Sequence, residues 1–397
     1  MLIKDTFHLT YCTNIHAGGD WQQTLKSLKE NLPTIKTKVA PDSSFGLGLR
    51  LSNKASLELN QADNLNRFKS YLASLNCYVF TMNGFPYGNF HGEPVKDQVH
   101  VPDWTTDERV TYTLRLFNQL HVLAPEGQDA GISTSPISYK HWYSSGKERV
   151  DAFAKGTENM LKVVLELYNI EQTTGRYLHL DVEPEPDGFL ENTKDVLHWY
   201  KTYVIPQGIA AFSYLNITEK KAIQLLKRYL TICYDVCHFA LAFEEPEDTL
   251  RQLKTAGIQI GKIQISAALK VVHQAGKENQ IWEELAKFNE PVYLHQVTER
   301  VEGKVKTYND LPIVLKEKKA FTELRSHFHV PIFLEDYGVL QSTQDHILKT
   351  LQVLKEHPVS GHLEVETYTW DVLPKDLKLP IADSIVRELN WMKSRLE

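Results

Sequence analysis

Short apolar runs that end in polar residues recur along this chain, separated by longer amphipathic segments, and this alternation limits what it can fold into. YLHLDVEPEP at 177–186, LTICYDVCH at 230–238 and HLEVETYTW at 362–370 show the pattern best. In a strand, successive side chains point to opposite faces. Leu178, Leu180 and Val182 then share one face, and Asp181, Glu183 and Glu185 the other; Leu363 and Val365 likewise oppose Glu364 and Glu366. Candidate strands are 6–13, 45–51, 77–83, 131–135, 177–183, 230–236, 261–266, 291–297, 326–333 and 362–368, with helical periodicity over segments such as 106–122, 147–169 and 341–356. The alternation predicts βα units around a parallel sheet, closed as a (β/α)8 TIM barrel. Ten candidates exceed the eight strands of that barrel, so two lie outside it.

At 397 residues the chain has room for one large or two ordinary domains. With no low-complexity linker dividing it, we expect a single domain, 1–397, interrupted by insertions at about 84–104 and 291–312. The first insertion is a long Gly/Pro-rich loop after the third strand, whose aromatic residues argue against disorder. The second holds two extended runs around Glu302-Gly303 and reads as a β-hairpin.

The formal net charge of −6 supplies no overall basic field, so no nucleic-acid partner is expected. No stretch approaches the ~18 apolar residues of a membrane helix. The N-terminus lacks a basic head followed by a long apolar run, so no signal peptide is expected and the location reads as cytoplasmic. Cys12, Cys77, Cys233 and Cys237 form no CxxC pair and read as buried thiols. P-loop, dinucleotide-binding and nucleophile-elbow motifs are absent from the sequence.

Carboxylates at strand ends are costly to bury unless paired or bound to a metal. Glu183, followed by the extended-biasing Pro184, reads as a metal ligand or general base, with a rim salt bridge as the alternative. Asp235 and His238 form a D-x-x-H step at the end of the sixth strand, suited to a divalent ion that accepts oxygen and nitrogen. Gln264 shares the inward face of KIQIS and offers an amide oxygen. In HFHVPIF, His327 and His329 both face inward if the run is a strand, and His329 lies nearer its C-terminal end. Glu366 closes the set. Expected metal ligands are thus Glu183, Asp235, Gln264, His329 and Glu366, with Glu183, Glu366 and His238 as catalytic candidates. Asn14, His16, Arg50, Asn83, Tyr87, His91, His295, His327 and Trp370 are the candidates for substrate binding.

Beyond this residue-level reading, several strings resemble one family. HLTYCTNIHAGGDW, PYGNFHGEPVKDQVHVPDW, YDVCHFA, YLHQV, HFHVPIF and HLEVETYTWDVLP look like the EboE "metabolite traffic" family of the xylose isomerase-like TIM barrels. The resemblance implies that fold, a divalent metal (Mn, Mg or Zn), and a small metabolite as partner. It also implies a link to a membrane prenyltransferase-like protein in secondary-metabolite precursor traffic. Within the superfamily, sugar isomerase or epimerase chemistry is the leading expectation and a non-catalytic carrier on the same barrel the alternative. An endonuclease IV-like nuclease fits less well, given the acidic balance.

Overall fold

The protein is described here by a computed structural model covering residues 1–90, 94–368 and 379–397. In chain order, β1 (Leu2–Ile3) pairs antiparallel with β2 (Phe7–Tyr11). Then come β3 (Phe45–Arg50), β4 (Cys77–Asn83), β5 (Ala130–Thr134), β6 (Leu178–Val182), β7 (Leu230–Asp235) and β8 (Ile260–Ile265). An excursion follows, carrying β9 (Leu269–Val272), β10 (Val297–Val301), β11 (Lys304–Tyr308), β12 (Glu323–Ser326), β13 (Asp336–Tyr337) and β14 (Leu340–Ser342), before β15 (His362–Val365) returns to the main sheet.

Strands β2 to β8 and β15 form the barrel. Every neighbouring pair from β3 through β8 is parallel, and β15 lies parallel between β8 and β2. The seam between β2 and β3 closes through a parallel bridge at Cys12 and Gly48 and through the Gly48 N–H donating to Thr10 Oγ1 at 3.0 Å. Strands covered on both sides carry near-continuous apolar character, and β3, β5, β6, β7 and β15 are buried throughout.

Helices cover the outside. The longest, Gly146–Thr174, starts at a capping box between Ser145 and Glu148 and stops at Gly175 in the left-handed region (φ 71°). Met160, Val163, Val164 and Leu167 on this helix recur at helical spacing and are buried. Burying each such side chain contributes roughly 1.5–3 kcal/mol. Among the described residues no helix is long and apolar enough to cross a membrane. All four cysteines are buried and unbridged.

The excursion forms an antiparallel sheet in the order β11-β10-β12-β9-β14-β13. Its β10–β11 hairpin turns at Glu302 (φ 49°) and Gly303 (φ 77°), the left-handed pair of a tight two-residue turn. Two expected strands change here. The 291–297 run becomes an irregular approach to β10, and 326–333 leaves the sheet after Ser326. His327 N–H still bonds to Gln296 O, but the Val330 N–H goes to the Ala267 carbonyl and Pro331 has no N–H for a ladder. Hence His327 and His329 stand on a loop, and Gln264 holds the end of the seventh barrel strand.

The long loop after β4 is tied down by the buried Arg109. Its guanidinium donates to the carbonyls of Pro102 (2.7 Å), Gly84 (2.8 Å) and Phe85 (2.9 Å). Val95 N–H bonds to Val292 O at 2.7 Å, and Lys96 reaches Asp310 at 2.8 Å, so the loop also leans on the excursion.

Candidate metal centre and cavity at the barrel mouth

Two barrel strands carry nearly the same word. β6 runs into HLDVE at 179–183, and β15 into HLEVE at 362–366. Alternation sends three side chains of each toward the barrel interior. At the bottom His179 and His362 stack with ring centroids 5.4 Å apart. Higher up, Glu364 pairs with Lys262 at 2.5 Å, both fully buried. Burial is the largest single influence on Lys262 and works against its charge, but Glu364 together with Cys233, Cys12 and Glu183 outweighs it and the pKa is raised. At the top stand Glu183 and Glu366.

Asp235 joins them, and one carboxylate oxygen from each of Glu183, Asp235 and Glu366 lies within 4.8 Å of the others. Each is positioned by local chemistry. Glu183 N–H bonds to Thr134 O at 2.9 Å just before Pro184. Asp235 caps the short helix Val236–Leu241: its Oδ1 accepts from His238 N–H (3.0 Å) and the Ser266 hydroxyl (2.7 Å). Glu366 Oε1 accepts from the side-chain amides of Asn14 (2.6 Å) and Asn83 (3.0 Å). Gln264 sits in register with Asp235 on β7 and Glu364 on β15.

His329 reaches in from the excursion, its Nδ1 3.4 Å from Glu366 Oε2 and its Nε2 3.9 Å from Asp235 Oδ2. His238 donates Nδ1–H to Pro184 O at 2.9 Å, which turns Nε2 toward the cavity. That Nε2 lies 3.1 Å from His327 Nε2. His327 Nδ1 in turn faces Gln296 Oε1 at 2.8 Å, an amide oriented by its own bond to Pro186 O.

The electrostatics are those of crowded anions. Burial, then Glu366 and Asp235, pushes Glu183 well above the ordinary carboxylate range. Burial, then Asp235 and Glu364, lifts Glu366 to about 8. Burial also depresses His329 to about 4 and holds His327 well below its usual value. Glu183 Oε2, Asp235 Oδ2 and both polar atoms of the Gln264 amide are buried without a hydrogen-bond partner. Unmet buried acceptors beside three carboxylates suit a divalent cation. Ligand atoms of Glu183, Asp235 and Glu366 lie within 4.8 Å of one another, as do those of Asp235, His238 and His329, and Glu185, His238 and His327 form an adjoining group of the same kind.

The cavity above has an aromatic wall that includes Phe85, Phe90, Tyr293 and Tyr368. Asn14, Asn83 and His327 also line it. The other substrate-binding candidates among the described residues do not converge there. His16 is bonded to Tyr11 OH at 3.0 Å and, with Arg50, lines a separate small cavity. Arg50 is buried and binds the carbonyls of Gly18 (3.2 Å) and Gly88, clamping the loop instead of facing a ligand. Tyr87 packs on Tyr112 with centroids 5.0 Å apart. His295 spans His327 O (2.7 Å) and Glu290 (2.5 Å), buttressing the histidine loop from behind. His91 and Trp370 lie outside the described residues. His100 and Glu185, 3.0 Å apart on the cavity wall, were missed as a pair, and their one signal is the PEP step after Glu183.

Solved structures share this architecture. A xylose isomerase-like TIM barrel protein from Mycobacterium smegmatis, crystallised in complex with magnesium, is similar with a TM-score of 0.51 at 9% identity, over 100% of this chain and 98% of that one. The chain has the xylose isomerase-like TIM-barrel fold. A D-tagatose 3-epimerase-like protein is similar with a TM-score of 0.50 at 11% identity, over 98% of this chain and 97% of that one. No protein-family model and no curated protein matches the sequence.

Proposed function

We propose that this protein is a metal-dependent isomerase or epimerase-like enzyme for a small polyhydroxylated or carbonyl metabolite. The observation that carries the reading is the buried Glu183–Asp235–Glu366 triad, whose oxygens lie within 4.8 Å of one another under a partly aromatic cavity. A bound Mn2+, Mg2+ or Zn2+ would supply Lewis-acid polarisation of adjacent carbonyl and hydroxyl oxygens. Glu183 and Glu366 hold or accept a proton from the carbon beside the carbonyl. Asn14 and Asn83 fix the Glu366 carboxylate, and His238 presents Nε2 to a substrate oxygen. The aromatic wall excludes water from the transfer.

The similarity of the two solved structures supports the fold on which this reading stands, and the sequence resemblance to the EboE family supplies its context. On that reading the chain is one domain with two insertions and works in the cytoplasm. There it handles a secondary-metabolite precursor beside a membrane prenyltransferase-like protein.

The test is proton exchange. The chelator-stripped protein and the Mn2+-loaded protein are incubated in D2O with a panel of pentoses, hexoses and inososes, and deuterium uptake next to the carbonyl is followed by mass spectrometry. Metal-dependent uptake that disappears in Glu183→Gln is the expected result. Saturable binding of a panel member with no uptake under any metal overturns catalysis in favour of a metabolite carrier.

A further inference from the structure

A second group of ligating side chains lies at the opposite, N-terminal end of the barrel. It comprises His179 of β6, His362 of β15 and Asp129, which immediately precedes β5. One ligand atom from each lies within 4.8 Å of the others.

The chemistry around it is that of a supported site. His179 Nδ1 is 2.5 Å from Asp181 Oδ1, which also accepts from the Thr231 hydroxyl. A carboxylate on one ring nitrogen fixes the tautomer and leaves Nε2 with its lone pair free, the arrangement typical of metal-bound histidine. His362 is 2% exposed, and neither of its ring nitrogens makes a hydrogen bond. Its Nε2 stands 3.6 Å from Asp129 Oδ1. That is too long for a hydrogen bond, but close to the ~3.3 Å that separates two ligands of a tetrahedral ion bound at ~2.0–2.1 Å. Two glycines make the space: a Cβ on Gly131 would strike His179 and Asp181, and one on Gly261 would strike Asp181. Asp129 is exposed, which gives an ion a way in from solvent.

We propose that His179 Nε2, His362 Nε2 and Asp129 form a second cation site at the barrel floor, selective for a borderline transition ion of the Zn2+ class. Two imidazoles and one carboxylate favour such an ion over Mg2+ or Ca2+, which prefer all-oxygen shells. The site joins β5, β6 and β15, so an ion bound there stabilises the closed barrel by mass action. It does not depend on the function proposed for the mouth. The Lys262–Glu364 pair belongs to the layer between the two ends.

The 397-residue chain carrying Glu183→Gln, Asp235→Asn and Glu366→Gln, stripped with chelator, is titrated with Co2+ and then Zn2+. One equivalent of Co2+ with a visible d–d absorption, bleached by Zn2+ and accompanied by a higher melting temperature, is expected. Asp129→Ala in that background weakens binding by roughly tenfold or more, and His362→Gln abolishes it. Because the triple variant has buried changes, Asp129→Ala is also made alone at its exposed position. It should bind one equivalent fewer than the unaltered chain, whatever the mouth retains. Absence of Co2+ and Zn2+ binding in a folded triple variant, or an unchanged stoichiometry and affinity in Asp129→Ala, overturns the proposal.

Discussion

The two ends of this barrel are built from the same two strands and differ in almost everything else. At the floor, His179 and His362 are supported from within by Asp181, Thr231 and the space left by Gly131 and Gly261. At the mouth, Glu183 and Glu366 meet groups carried beyond the strand ends: Asn14 of the turn after β2, His238 of the short helix after β7 and the excursion's His329. The floor is nitrogen-rich and the mouth oxygen-rich. Strand alternation alone lays down rows of polar positions along the lumen; what surrounds each layer decides the chemistry it supports.

The largest expected effect lies at the mouth. Glu183→Gln should cut metal-dependent proton exchange by roughly 10²- to 10⁴-fold, the range for loss of a general base, while floor binding of Co2+ persists. Loss of both together would show that the two ends are one coupled system.

Between them, Lys262→Met leaves Glu364 buried without its cation. Breaking such a pair costs about 3–5 kcal/mol, and replacing both members recovers much of it. Urea unfolding of Lys262→Met and of Lys262→Met with Glu364→Gln measures the difference. Equal stability of the two variants would mean that the pair does not separate the layers as a unit.

At the floor, Gly131→Ala forces a methyl group against His179 and Asp181. Overpacking of this kind costs about 1–3 kcal/mol, and the thermal midpoint should fall while the mouth keeps its cation. A neutral result would mean that the His179–Asp181 pair is mobile enough to move aside.

A pH-dependent effect concerns the wall behind the mouth. Burial lifts Glu388 to about 8, although the Thr367 hydroxyl (2.7 Å) and Ile332 N–H (3.2 Å) both donate to it. A carboxyl raised above its unfolded value holds its proton more tightly in the folded state. Its contribution is therefore most favourable below the ordinary value near 4.5 and is lost as pH rises toward 8. Glu388→Gln should flatten the decline in melting temperature between pH 5 and pH 8. An unchanged slope would place the titration elsewhere.

Much of the barrel was legible because its strands read as short apolar runs, three of which end at a carboxylate: Glu183, Asp235 and Glu366. Glu183, Asp235 and Glu366 stand together as their strand positions imply. HFHVPIF was misleading because its β-branched and aromatic content reads as strand, while Pro331 offers no N–H and the Val330 N–H turns to Ala267 O, which takes the run out of the ladder. Arg50, His16 and His295 look like ligand-binding groups in sequence, yet their polar atoms are engaged by Gly18, Tyr11 and Glu290. Nothing local signals such long-range partners.

The order of the eight runs that became barrel strands, the inward-facing acids at the ends of three of them, and the hairpin turn at Glu302-Gly303 were legible in the sequence alone, because alternation and turn chemistry act over a few residues. Which strands close the barrel was decided only by the tertiary structure. So were the delivery of His329 to Glu366 from an antiparallel excursion and the pairing of His100 with Glu185. These depend on contacts between residues far apart in the chain, where packing and the need to satisfy every buried polar group select one arrangement among many.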